Sequence, residues 1–406
     1  MKCHDSPTPL YHLLVKPIRP SHALAIFLSA LVVRLGWMPT WPRLVFEGHE
    51  SLYRDAFVGL SVRASTQAYP LLAGIYSMLG QLTQDERALV AFSSVVGALG
   101  VLGAAVWVGR TISVTAGLWT GVLVSLLPEH VAWSTSAYNV ILPQTLFIWA
   151  LALRGRWSFL LCAFAVSMRA ELLLLAPLVG LRGVLGGLAG VGFLLSLGID
   201  FPQVRPGGLA FDINWPMLNY LGPPVLCLSL VALRSKPAWK LFLFAAWVHA
   251  IGAAFDDYGA RHALLGGVAL CGLVGSARTV WIPMFAVVSL GMHTVELARV
   301  WHAPDDGAVA TEAQELGAPP EGCVEVTDEP YVPGQALPSH VRYFRNDIEA
   351  DCVIWGEEFW HRSWSSRGLM DRAKRMRMLY DMEAVGALKP VAGGPVRMYH
   401  RLEKRW

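Results

Sequence analysis

The sequence predicts an all-α polytopic membrane protein of about eleven transmembrane helices, followed by a small α/β C-terminal domain. Three observations predict it. Of the 406 residues, 54% are hydrophobic and 16% charged, against roughly 25% charged in an ordinary soluble domain. The charges are unevenly placed: 30 of the 63 lie from Trp301 onward. Residues 88–109, ALVAFSSVVGALGVLGAAVWVG, carry none and match the length needed to cross roughly 30 Å of hydrocarbon. Together these exclude a single cytosolic globule and a disordered chain. A net charge of only +3 leaves no electrostatic footprint for nucleic acid.

In chain order, the first span is expected over 23–38, with Arg34 near its end and no small-residue cleavage site, so it reads as retained. A long external loop, 41–87, follows. Within it FEGHESLYRDAF (46–57) places Glu50, Tyr53, Arg54 and Phe57 on one face of a short surface helix. AYPLLAGIYSMLG (68–80) is a second helical piece introduced by Pro70. Spans are then expected over 88–109, 112–128, 140–153, 217–233, 238–255, 263–277 and 280–295. Between them the apolar stretch 157–198 is cut by Arg169, Glu171 and Arg182 into pieces 157–168, 171–182 and 183–198. The first two reach only about 18 Å each, which suits broken helices lining a cavity. Gly97, Gly100 and Gly103 are read as close helix-packing positions.

Orientation follows from the basic residues. With the N-terminus inside, Lys16, Arg19, Arg110, Arg154, Arg156, Arg182, Arg234, Lys236, Lys240 and Arg278 occupy cytoplasmic turns. Glu47, Glu50, Asp55, Glu129, Glu171, Asp256 and Asp257 then fall on the external side, so any chemistry is external. Ionisable groups at membrane depth are costly and face cavities.

Residues 301–406 form the external C-terminal domain, with strands expected over 323–327, 352–355 and 396–402 and a helix over 366–384. Cys323 and Cys352 share the external side, where a disulfide is permitted. Cys162, Cys227 and Cys271 fall inside helices and read as packing residues.

In order along the chain, Arg34, then His49, Glu50 and Tyr53, then Tyr69-Pro70-Leu71 resemble the opening of the GT-C glycosyltransferases. These are multi-pass enzymes that use polyprenyl-phosphate sugars, the protein mannosyltransferases and arabinosyl-type transferases among them. LLPEHVAWSTSAYN (126–139), SMRAELLLL (167–175) and DDYGARHALLGGVAL (256–270) resemble later segments of that family, and the likeness covers about residues 20–300. The sequence departs from the pattern where His49-Glu50 replaces an Asp-Glu pair, Tyr69 a basic residue, and Asn139 an acid; Glu129 is a candidate substitute for that acid.

The resemblance implies an inverting transfer of a sugar from a polyprenyl-phosphate donor to the hydroxyl of a lipid, glycan or protein acceptor. The acceptor hydroxyl needs a carboxylate base; Glu50 is the first choice and Glu47 the fallback. The departing lipid phosphate needs cations, for which Arg261 and His262 are suited, with Arg54 and Arg169 as helpers. A divalent cation held by external carboxylates is compatible with the pattern. Each assignment has a plainer counterpart: Glu50 paired with Arg54, Arg169 with Glu171 bracing the broken helix, Arg261-His262 anchoring at the membrane surface, Asp256-Asp257 holding Arg261. No His/Cys cluster has metal-ligand spacing and no glycine-rich loop follows a strand. The rival functions are a transporter or flippase of a lipid-linked sugar, and a non-catalytic relative of the same family.

Overall fold

The computed structural model describes residues 18–36, 70–84, 87–135, 140–153, 155–198, 223–233, 236–254 and 260–301, together with five short strands between 326 and 401. The described chain is mostly helical. Helix α1 (Pro20–Leu35) starts at Pro20, whose missing N–H is no loss in a first turn. Helix α2 (Pro70–Thr83) begins at Pro70 for the same reason, as expected from the sequence. Helix α3 (Arg87–Thr111) is the axis of the bundle. Helix α4 (Val114–Ser125) follows after Ser113, whose Oγ accepts the N–H of Ala116 at 3.1 Å and caps the first turn.

The expected span 112–128 is corrected here. Pro128 does not close it; Pro128 opens a separate two-turn helix, α5 (Pro128–Ser134), because proline suits a first helical turn and disfavours helix in the residue before it. Helix α6 (Ile141–Ala152) then runs parallel to α3. Thr145 Oγ1 donates to Val96 O at 3.1 Å, Trp149 Nε1 to Leu99 O at 3.0 Å, and Arg110 Nη1 to Ala152 O at 2.5 Å.

Three pieces do occupy 156–196, but their borders move. Helix α7 (Arg156–Met168) stops at Arg169, whose backbone is extended. A 3-10 turn (Ala170–Leu175) and the four-residue α8 (Ala176–Val179) follow. The break to α9 (Leu181–Ser196) falls at Gly180, at φ 97°, rather than at Arg182; only glycine takes that backbone cheaply. Helices α10 (Pro223–Ala232), α11 (Lys236–Ala254), α12 (Ala260–Gly275) and α13 (Trp281–Trp301) complete the bundle.

Small residues let these helices touch. A Cβ on Gly100 would meet Thr145 Oγ1 at 2.6 Å, and one on Gly190 would meet the Ala163 carbonyl at 2.5 Å. Gly97, Gly100 and Gly103 therefore serve packing of α3 on α5 and α6, as expected. Cys162 and Cys271 are buried free thiols.

The strands β1 (Val326–Glu329), β2 (Val341–Tyr343), β3 (Cys352–Gly356), β4 (Leu388–Ala392) and β5 (Val396–Arg401) form one sheet in the order β2-β1-β3-β5-β4. β1 is parallel to β2 and β3, while β3 with β5 and β5 with β4 are antiparallel. The first strand begins three residues later than expected, and two strands went unforeseen. The expected helix 366–384 and Cys323 lie outside the described residues.

Of the described helices only α3 is long and apolar enough to cross a membrane by length and composition, with shorter apolar helices of 10–17 residues around it. The surface is nonetheless apolar: Leu24, Leu28 and Val32 on α1, Leu185 and Leu188 on α9, and Phe285, Val288 and Met292 on α13 are all exposed. The interior, by contrast, holds Arg34, Ser93, Ser94, Glu129, His130, Gln144 and Arg169.

Candidate functional site

A group of buried polar side chains from α1, α3 and α5 gathers at one end of the bundle. Arg34, in the last turn of α1, is fully buried (0% exposed). Its Nη1 donates to Ala30 O at 2.8 Å in its own helix, and its Nη2 lies 2.6 Å from His130 Nδ1 on α5. Helix α3 admits this contact only because position 97 lacks a side chain: a Cβ there would reach Arg34 Nε at 2.9 Å and run into Ser134. Ser134, one turn after His130, donates its Oγ to His130 O at 2.6 Å. Ser93 and Ser94 lie one turn before Gly97 on α3, buried, with no hydrogen bond to either hydroxyl. Gln144 and Thr145 on α6 are buried too, Thr145 against Val96 and Gly100 of α3.

Glu129 precedes His130 on α5 and is 4% exposed. Neither carboxyl oxygen makes a hydrogen bond of full geometry; the Trp133 side chain one turn on offsets only part of that cost. Burial pushes the Glu129 carboxyl up to about 8, so near neutral pH it holds its proton. His130, next to it on α5, is pushed well below its ordinary value by burial first and by the neighbouring Arg34 charge second. Arg34 has no acidic partner among the described residues.

The opposite end carries bases. Arg110 binds the end of α6, Arg182 Nη1 would lie 3.2 Å from a Cβ on Gly155, and Gly109 packs on Ile18 at the start of α1. Arg110, Arg156, Arg182 and Arg19 thus share one end. Helix α12 runs antiparallel to α4, since Gly275 sits against Ala116 and Thr120. Its first turn, with Arg261 and His262, therefore starts at the polar end, and α12 also packs on α5.

Of the sequence candidates, Glu129, Arg169 and Glu171 are described with their side chains, and Arg261 and His262 by backbone position. Arg169 follows the end of α7 and pairs with Glu171, Nε to Oε1 at 2.5 Å, so the ion pair at the helix break is present. Glu47, His49, Glu50, Tyr53, Arg54, Asp55, Tyr69, Asn139, Asp256 and Asp257 lie outside the described residues. Among the described residues no three His, Cys, Asp or Glu side chains gather as metal ligands do.

Sequence reasoning passed over Arg34 and His130 as site residues. The signal was present for Arg34, a guanidinium inside an apolar run, which at membrane depth marks a functional position by default. For His130 only its adjacency to Glu129 was legible. Compared with protein-family models, curated proteins and solved structures, the chain matches none.

Proposed function

We propose that this protein is a polytopic membrane enzyme of GT-C type, an inverting glycosyltransferase that moves a sugar from a polyprenyl phosphate to an acceptor hydroxyl at the external membrane face. The observation that carries this reading is the inverted polarity of the bundle. Arg34, Glu129 and His130 are buried at one end while leucines, valines and phenylalanines cover the outside. Water penalises exposed apolar area by about 25 cal/mol per Å²; hydrocarbon does not. The bases at the far end fit a cytoplasmic end under the positive-inside rule, which leaves the polar cluster outside.

The chemistry needs a proton acceptor for the incoming hydroxyl and cations for the departing phosphate. Glu50 remains the proposed base, with Glu47 as the fallback, and Glu129, buried on α5, is a further candidate carboxyl. Arg261 and His262, in the first turn of α12, are the proposed cations for the departing phosphate. The donor's tail would lie between helices in the bilayer.

The test is a transfer assay on purified protein in nanodiscs with polyprenyl-phosphate sugars. Glu50→Gln should abolish transfer and leave donor binding intact. Transfer undiminished in that variant removes Glu50 as base. Movement of donor across proteoliposomes without transfer would instead mark a transporter, and donor binding with neither outcome a non-catalytic relative.

A further inference from the structure

The contact between Arg34 and His130 has a chemical direction. A guanidinium has only donors, so the 2.6 Å contact from Nη2 makes His130 Nδ1 the acceptor. The lone pair is then on Nδ1 and the ring's one proton on Nε2. A second proton on Nδ1 would set two cations face to face in a buried site.

The same contact fixes how α5 is turned. His130 and Ser134, one turn apart, face α1 and α3. Glu129 is offset from His130 by about 100° round the helix, and α5 packs elsewhere on α12 and α13. Helix α5 is only two turns long and follows α4 through Leu126 and Leu127, so a side-chain contact near its middle bears on the orientation of the whole element. The bond from Arg34 to His130 is a directional polar contact that ties α5 to another helix.

We infer that Arg34 and His130 are a positioning couple: Arg34 holds His130 as a neutral Nε2–H imidazole, and the pair sets the rotation of α5 that presents Glu129 away from α1. His130 is thereby excluded as an acid or base in turnover. The assignment of the carboxyl to sugar transfer rests on the proposed function; the tautomer and the clamp do not. The ionisable groups on elements packed against α5 are few. Arg34 faces His130 from α1, and Glu129 is on α5 itself. Helix α1 also carries His22 in its first turn, α3 carries only Arg87 and Arg110 at its ends, α4 and α6 carry none, α12 brings Arg261 and His262 in its first turn and Cys271 further on, and α13 carries His293, Glu296 and Arg299.

The experiment is 15N NMR of histidine-labelled protein in nanodiscs, with His130→Asn identifying the signal among twelve histidines. The expected wild-type ring is Nε2–H and unchanged between about pH 5 and pH 8, the range over which a free imidazole titrates. Arg34→Gln should release it, giving mixed tautomers or titration; Arg34→Lys, which also donates but as a single point, guards against a folding failure and should restore the wild-type signal in part. In the transfer assay Arg34→Gln should lower kcat by about a hundredfold, the scale of an ångström-level misplacement, with KM little changed. An Nδ1–H ring, titration in the ordinary histidine range, or a signal indifferent to both Arg34 variants overturns the couple. Unchanged kcat in Arg34→Gln overturns its positioning role. If wild-type protein transfers no sugar, the proposed function fails while the NMR arm still decides the couple.

Discussion

Arg34 shows how one side chain sets the character of a site. A guanidinium taken out of water without a counter-charge costs several kcal/mol even after relaxation, and among the described residues only a carbonyl and a neutral imidazole face it. Removing His130 strands that cation; removing Arg34 strands only a neutral acceptor. His130→Ala should therefore cost about 1.5–3 kcal/mol, as for a hydrogen bond to a charged group, and Arg34→Met less, about 1 kcal/mol, measured by thermal or denaturant unfolding in detergent. The reverse ranking would mean that the charge is compensated elsewhere. Glu129 makes a second prediction. Its carboxyl is raised from 4.5 to about 8 in the fold, so below 4.5 both states hold the proton and it contributes no penalty. As pH rises from 4.5 to 8 the unfolded chain ionises while the folded one does not, and stability falls; above 8 the penalty levels off. Glu129→Gln should flatten that decline, seen as a melting-temperature gain over wild type that grows between about pH 5 and pH 8.

At the scale of elements, glycines decide which helices touch. Gly186 on α9 faces the backbone of Phe159 on α7, with no flexible side chain to yield. Gly186→Ala should therefore destabilise by about 1–3 kcal/mol through overpacking. Gly74 on α2 has nothing within 4 Å of its missing Cβ, and Gly74→Ala should stabilise by about 0.5–1 kcal/mol. Unfolding midpoints of the two variants should move in opposite directions. The helices themselves were largely legible in the sequence, because an apolar run bounded by Pro, Gly or Arg carries its own limits. The start of α2 at Pro70 and the stop of α7 at Arg169 follow from local chemistry alone. The opening of α5 at Pro128 was not read, since an apolar run through Leu126-Leu127 hides a helix break that proline geometry imposes.

For the whole molecule, the bases at one end and the buried polar cluster at the other give the bundle a direction. If it spans a bilayer, Phe285 and Met292 on α13, exposed at 66% and 70%, face lipid. Cysteines placed there should react with a membrane-permeant, lipid-partitioning thiol reagent in intact vesicles and resist a charged maleimide. Equal labelling by the charged reagent would return the bundle to water and remove the membrane reading.

Composition and charge placement, read from the chain alone, settle the helical class, the apolar runs and the polar C-terminal portion. They can do so because burial preference and helix limits are properties of neighbouring residues. What needed the tertiary structure is the site: Arg34 and His130 stand 96 positions apart, and no periodicity links them. Their meeting depends on the missing side chain at Gly97 and on the turn of a seven-residue helix, both of which are facts of packing between segments that the linear order does not encode.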